Sequence, residues 1–164
     1  MSKTRFTVRR DQLTVVMERT FDAPRETVFK AYIDSQAIAK WFGPRSHTTT
    51  VDKNDVRVGG VWRFVSRDPA GHEYGFHGVY KKIEPPKLLA ATFNFEGIPG
   101  DHELQQTVIF EDVAGKTKVT ATATYKTVED LDGMVASGME SGANESWDRL
   151  AELIEQPIKS RRVR

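Results

Sequence analysis

Val119-Thr-Ala-Thr-Ala-Thr-Tyr125 alternates strictly between threonine and an apolar or aromatic residue. A few residues later the period changes, and Leu131, Met134, Val135, Met139, Trp147, Leu150, Leu153 and Ile154 recur at threes and fours. The first pattern predicts a strand with threonine on one face and Val119, Ala121, Ala123 and Tyr125 on the other. The second predicts one long amphipathic helix over Glu129–Gln156, which Pro157 stops. A one-sided strand that leads into a one-sided helix must have its apolar face covered, and the two faces cover each other.

Upstream of Val119 the period of two persists back to Thr48. Strands are predicted near 48–57, 60–67, 73–83, 88–96, 104–112 and 117–126. Between them stand Gly59-Gly60, Asp68-Pro-Ala-Gly71, Glu84-Pro-Pro-Lys87, Gly97-Ile-Pro-Gly100 and Val113-Ala-Gly-Lys116, all with turn chemistry. Connections this short join antiparallel neighbours and leave no room for crossover helices. Leu13–Phe21, β-branched and apolar, adds a seventh strand.

Asp22-Ala-Pro-Arg-Glu26 then opens a helix, with Pro24 suited to the first turn and Glu26 to the positive end of the dipole. A second short helix runs from Ser35, as cap, to Trp41, and Gly43-Pro44 ends it. The fold class expected is α+β, a helix-grip: a seven-stranded curved antiparallel sheet wrapped on a long C-terminal helix, with two short helices after the first strand. Twisted sheets curl around such a helix readily. Alternation assigns Trp62, Phe64, Tyr74, Phe76, Phe93, Phe95, Val108 and Phe110 to the inner face, and Arg63, Asn94 and Thr107 to the outer.

At 164 residues with 38% hydrophobic content the chain fits one domain, expected over 13–156, with a flexible basic leader 1–12 and a disordered basic tail 157–164. The formal charge of +1 conceals an asymmetry. Without the four cations of residues 1–10 and the four of residues 158–164, 16 cations face 23 anions, a net of −7 for the body. An acidic body argues against a nucleic-acid face. There are no cysteines, so disulfides, thiolate metal sites and cysteine nucleophiles are excluded. The chain contains no apolar run of about 18 residues, and the expectation is a cytoplasmic protein with no membrane span, a monomer or weak homodimer.

Phe21-Asp-Ala-Pro-Arg-Glu-Thr-Val-Phe29, Ala39-Lys-Trp-Phe-Gly-Pro44, Arg57-Val-Gly-Gly-Val-Trp-Arg-Phe64, Phe76-His-Gly-Val-Tyr80, Gly138-Met-Glu-Ser-Gly142 and Trp147-Asp-Arg-Leu150 resemble one family in order and spacing. It is the branch of the START-like, birch-pollen-allergen-like (SRPBCC) superfamily that includes the activator of the heat-shock protein 90 ATPase. The resemblance spans about residues 13–156 and implies the same order of elements. It also implies a cavity between the long helix and the sheet, which in many superfamily members takes lipids, sterols, polyketides or other apolar molecules, while others act as aromatases or cyclases.

Candidate chemistry is sparse. His47, His72, His77 and His102 show no paired ligand spacing, and there is neither a nucleophile elbow nor a phosphate-cradling loop. No catalytic residue, metal site or cofactor is assigned. His77 is expected on the outer face, while His47 and the cations Arg45 and Arg63 stand near the rim. The strongest signal is aromatic, with sixteen Phe, Tyr and Trp residues in the chain. The expected cavity residues are Trp41, Trp62, Phe64, Tyr74, Phe76, Phe93, Phe95, Phe110, Tyr125, Met134, Gly138, Met139 and Gly142. Glycines 133, 138 and 142 in the last helix read either as close packing or as room for a ligand. The function expected is non-catalytic binding of a small hydrophobic or amphipathic ligand. The alternatives are a chaperone-interacting module that modulates a heat-shock protein ATPase, and a polyketide aromatase/cyclase-like enzyme.

Overall fold

In the computed structural model, which describes residues 3–155, the strands form one sheet in the order β1-β2-β8-β7-β6-β5-β4-β3, antiparallel throughout. The strands are β1 (Arg5–Arg9), β2 (Thr14–Phe21), β3 (Thr48–Asn54), β4 (Val61–Arg67), β5 (Glu73–Glu84), β6 (Leu88–Phe95), β7 (Leu104–Val113) and β8 (Lys116–Thr124). The helices are α1 (Arg25–Ile33), α2 (Ser35–Trp41), α3 (Val128–Ala136) and α4 (Met139–Ile154). The curved sheet and the helical layer are those of a helix-grip fold.

Three expectations need correction. The sheet has eight strands, because Arg5–Arg9, read as part of a flexible leader, pairs along β2 from Arg5↔Glu18 to Arg9↔Thr14. Four cations in the first ten residues hid the strand-forming Phe6-Thr-Val8 between them. Phe6 packs against the cluster of Val15, Leu104, Ala123, Tyr125 and Leu131, so this edge strand is held by core contact as well as by its ladder.

The long C-terminal helix is two helices. Gly138 stands at φ +84, a left-handed conformation that an L side chain resists, and it separates α3 from α4. Periodicity alone did not reveal the break, because the apolar spacing continues across it. The cap of α2 is Asp34 and not Ser35: its Oδ2 accepts from Ala37 N–H at 3.0 Å. The expected tail 157–164 lies outside the described residues.

The main core lies between the sheet and α1, α2 and α4. Phe21, Val28, Val119, Trp147 and Leu150 are fully buried there, and Trp147 meets Phe21 edge-on at 5.5 Å between ring centroids. Trp147 Nε1 donates to Tyr32 Oη at 2.8 Å, which joins α4 to α1. Ser146 Oγ donates to the Trp41 carbonyl at 3.0 Å and accepts from Gly43 N–H at 3.1 Å, which joins α4 to the end of α2. These bonds fix how far α4 stands above the sheet.

Candidate functional site

Small side chains face one another at the centre of the grip. Ala91 on β6 and Ala121 and Ala123 on β8 look toward Gly142 and Ala143 on α4, and all five line a cavity of about 360 Å³. A Cβ on Gly142 would meet no atom within 4 Å beyond its chain neighbours and its own turn of helix backbone, so the missing side chain leaves open space. The sheet ladder and the α4 contacts keep the two layers apart, so truncated residues leave a hollow. An apolar hollow forgoes dispersion contacts that a bound molecule restores.

One wall is aromatic. Register places Phe64 opposite Phe76 and Phe76 opposite Phe95. Trp62 meets Phe64 at 4.7 Å and Phe93 at 5.3 Å, and Phe93 meets Phe95 at 5.0 Å between ring centroids. Trp41, held by its Nε1 donating to the Ala31 carbonyl at 2.9 Å, closes one side. Met134 and Met139 close the end beneath the α3–α4 break.

Ten expected residues therefore line the cavity: the five rings of Trp62, Phe64, Phe76, Phe93 and Phe95, together with Trp41, Tyr125, Met134, Met139 and Gly142. Three do not. Tyr74 lies at the end of β5 beyond the helical cover, 45% exposed, stacked on His47 at 5.6 Å and donating to Asp68 at 2.9 Å. Phe110 is buried under α1, edge-on to Phe29 and Tyr32. Gly138 is spent on the helix break. Alternation names a face correctly, but only the path of the covering helices decides which part of that face is hollow.

Sequence reasoning passed over Gln106. It stands in β7 between Leu104 and Val108 on the inner face, an inward polar residue that alternation could have flagged, and it lines the cavity. Among the described residues neither its carboxamide nor the Tyr125 hydroxyl makes a hydrogen bond, and the buried Trp62 Nε1 also lacks a partner. Burial pushes the Tyr125 hydroxyl pKa up to about 12 and that of Tyr80 likewise to about 12, so both are neutral phenols near pH 7. Among the described residues the cavity lining contains no Asp, Glu, Lys, Arg or His.

The charged candidates lie outside. Arg63 grips Glu96 with two hydrogen bonds of 2.9 and 2.8 Å, and His77 Nδ1 meets the same carboxylate at 2.9 Å on the outer face. The Arg63 guanidinium holds the Glu96 carboxyl below its ordinary range. Arg45 pairs with Glu152. His47 Nδ1 meets Ser66 Oγ at 3.1 Å. Among the described residues no cluster of three or more His, Cys, Asp and Glu side chains forms a metal site, and no helix is long and apolar enough to cross a membrane.

The sequence model of the family described as Activator of Hsp90 ATPase homolog 1-like protein matches residues 22–155. The chain belongs to this family. The match begins in the turn before α1 and ends at the close of α4, so the family segment takes in both the aromatic wall and the helical cover. No curated protein matches the chain by sequence.

Solved structures with the same fold include a solution structure of a protein from Arthrobacter aurescens, 23% identical, covering 93% of this chain and 92% of that one at a TM-score of 0.87. They also include the crystal structure of protein Ms6760 from Mycobacterium smegmatis, 24% identical, covering 93% and 97% at 0.84. DynU16, described as a protein in the dynemicin biosynthetic locus, is 20% identical and covers 88% of this chain and 48% of that one at 0.65. At these identities the likeness establishes the fold of the Hsp90 activator-like chain.

Proposed function

We propose that this protein binds a small, mainly apolar molecule in the cavity between α4 and the sheet, without covalent chemistry. One observation carries the reading: a hollow of about 360 Å³ walled by aromatic rings and small side chains, with no charged lining residue among those described. That volume lies at the lower end of the range of about 300–1,000 Å³ found for small-molecule sites. The titratable groups at its wall are tyrosines, and burial holds them neutral. Such a wall suits binding and shielding from water better than proton transfer near neutral pH.

The test is a ligand screen by native mass spectrometry and thermal shift, covering fatty acids, sterols, flavonoids and polyketide-like aromatics, with Gly142→Leu as the blocked control. The expected result is at least one binder that raises the Tm of the wild type and is lost in the variant. No binder in any class, or binding unaffected by Gly142→Leu, overturns the reading.

The family description favours a second reading, contact with a chaperone ATPase. Stimulation of a heat-shock protein 90 ATPase by the purified chain supports it, and neither association nor stimulation removes it. A cyclase role, which the superfamily resemblance implies, requires turnover of an aromatic polyketide in the same cavity.

A further inference from the structure

Gln106 lies across from Ala91 on β6 and Ala123 on β8, so neither cross-strand neighbour covers its side chain. Tyr125 follows Thr124, which pairs with Gln105, and stands one inward position beyond Ala123. Gln106 and Tyr125 are therefore diagonal neighbours on the inner face, about 7–8 Å apart at Cα by sheet geometry. Both line the cavity, and neither side-chain polar group makes a hydrogen bond among the described residues.

A carboxamide offers two N–H donors and an acceptor oxygen, and a phenol offers one O–H. A ligand without polar atoms leaves these groups dry and unpaired, which costs binding energy. A carboxylate ligand can accept from these donors but meets no cation among the described lining residues, so neutral hydrogen bonds alone must offset the loss of its hydration. The remaining wall presents the faces and edges of Trp62, Phe76, Phe93 and Phe95, which stack best against another aromatic ring.

We propose that Gln106 and Tyr125 form the hydrogen-bonding end of the cavity and select an uncharged aromatic molecule bearing a carbonyl or phenolic oxygen over fatty acids and aromatic carboxylates. This rests on the ligand-binding reading above and specifies its substrate class.

The experiment compares three bicyclic probes of matched size at neutral pH, naphthol, methylnaphthalene and naphthoate, by fluorescence titration against the wild type, Gln106→Leu and Tyr125→Phe. For the wild type, naphthol is expected to bind about tenfold more tightly than naphthoate. Gln106→Leu is expected to lower naphthol affinity about tenfold while leaving methylnaphthalene affinity equal or improved, and Tyr125→Phe to act in the same direction more weakly. Equal binding of naphthol and naphthoate by the wild type, which needs no variant to fold, overturns the proposal and leaves cavity binding standing. Unchanged naphthol affinity in both variants does the same. Failure of all three probes to bind the wild type overturns the proposal and counts against the cavity reading with it.

Discussion

Trp62 Nε1 lies over Gly78: a Cβ built on that glycine would stand 2.7 Å from the indole nitrogen and 1.9 Å from the carbonyl oxygen of Thr92. The two residues face each other in the β4–β5 register, so the bare glycine lets the indole approach the sheet backbone closely at the cavity wall. The Thr92 oxygen belongs to the β6 backbone and cannot swing away. Gly78→Ala is therefore expected to destabilise the protein by about 1–3 kcal/mol through overpacking. Urea denaturation measures this, and near-UV circular dichroism reports the displaced indole; a variant matching the wild type in both would refute the packing account.

Gly142 separates stability from binding. It sits inside α4 with open space where a Cβ would go, so Gly142→Ala is expected to stabilise the helix by up to about 1 kcal/mol. Gly142→Leu projects into the cavity and is expected to abolish ligand binding while the fold persists. Thermal melts of both variants, with a titration of any binder from the screen, check the pair. Loss of folding in Gly142→Ala would show that the hollow is not open at this point.

Arg19 is buried, its side chain 1% exposed, and Nη1 donates to Asp148 on α4 at 2.6 Å, while Nε and Nη2 have no partner among the described residues. Removing the carboxylate by Asp148→Ala leaves a buried cation without its hydrogen-bonded anion. Since the Asp148 side chain is 34% exposed, the expected cost is about 2 kcal/mol, below the ~3–5 kcal/mol of a fully buried pair. Arg19→Met removes the charge together with its unpaired donors and keeps an apolar contact over the Phe21 ring, so it is expected within about 1 kcal/mol of the wild type. Chemical denaturation of both variants decides; equal losses would mean that Arg19 contributes mainly through packing.

His102 couples α3 to pH. Its Nδ1 meets Asp130 Oδ1 at 2.8 Å and its Nε2 meets the Pro99 carbonyl at 2.8 Å, and both nitrogens can donate only in the imidazolium. The Asp130 carboxylate, and after it the Pro99 carbonyl, raise the His102 pKa above its usual 6.5; Asp101 lies nearby and is itself paired with Lys126. A raised folded-state pKa means that the stabilisation is complete below about 6.5 and is lost as pH rises through the folded value. Protection of α3 amides in hydrogen exchange, after correction for intrinsic rates, is expected to fall as pH rises above about 6.5, and to be flat in His102→Gln. A His102→Gln profile identical to the wild type would exclude this latch.

The sheet was legible because its signal is local. From Val61 to Thr124 each strand lies within a few residues of its expected place, since alternation and turn chemistry act between neighbours in the chain. Phe6 shows the limit: its strand is stabilised by pairing with Met17 and by packing on the cluster around Val15 and Leu131, contacts that short-range pattern does not report. Gly138 shows another, because a helix break that keeps the apolar spacing is invisible to periodicity.

The chain by itself determined the fold class, the order of strands from Leu13 to Tyr125, and which aromatic residues turn inward, because side-chain direction in a strand follows from position alone. Only the tertiary structure decided that the inward face is partly hollow, that Tyr74 and Phe110 lie outside the hollow, and that Gln106 and Tyr125 share it. Empty space depends on how far α4 is held from Ala91, Ala121 and Ala123 by bonds such as Ser146 to Trp41, and that distance is set by residues more than a hundred positions apart.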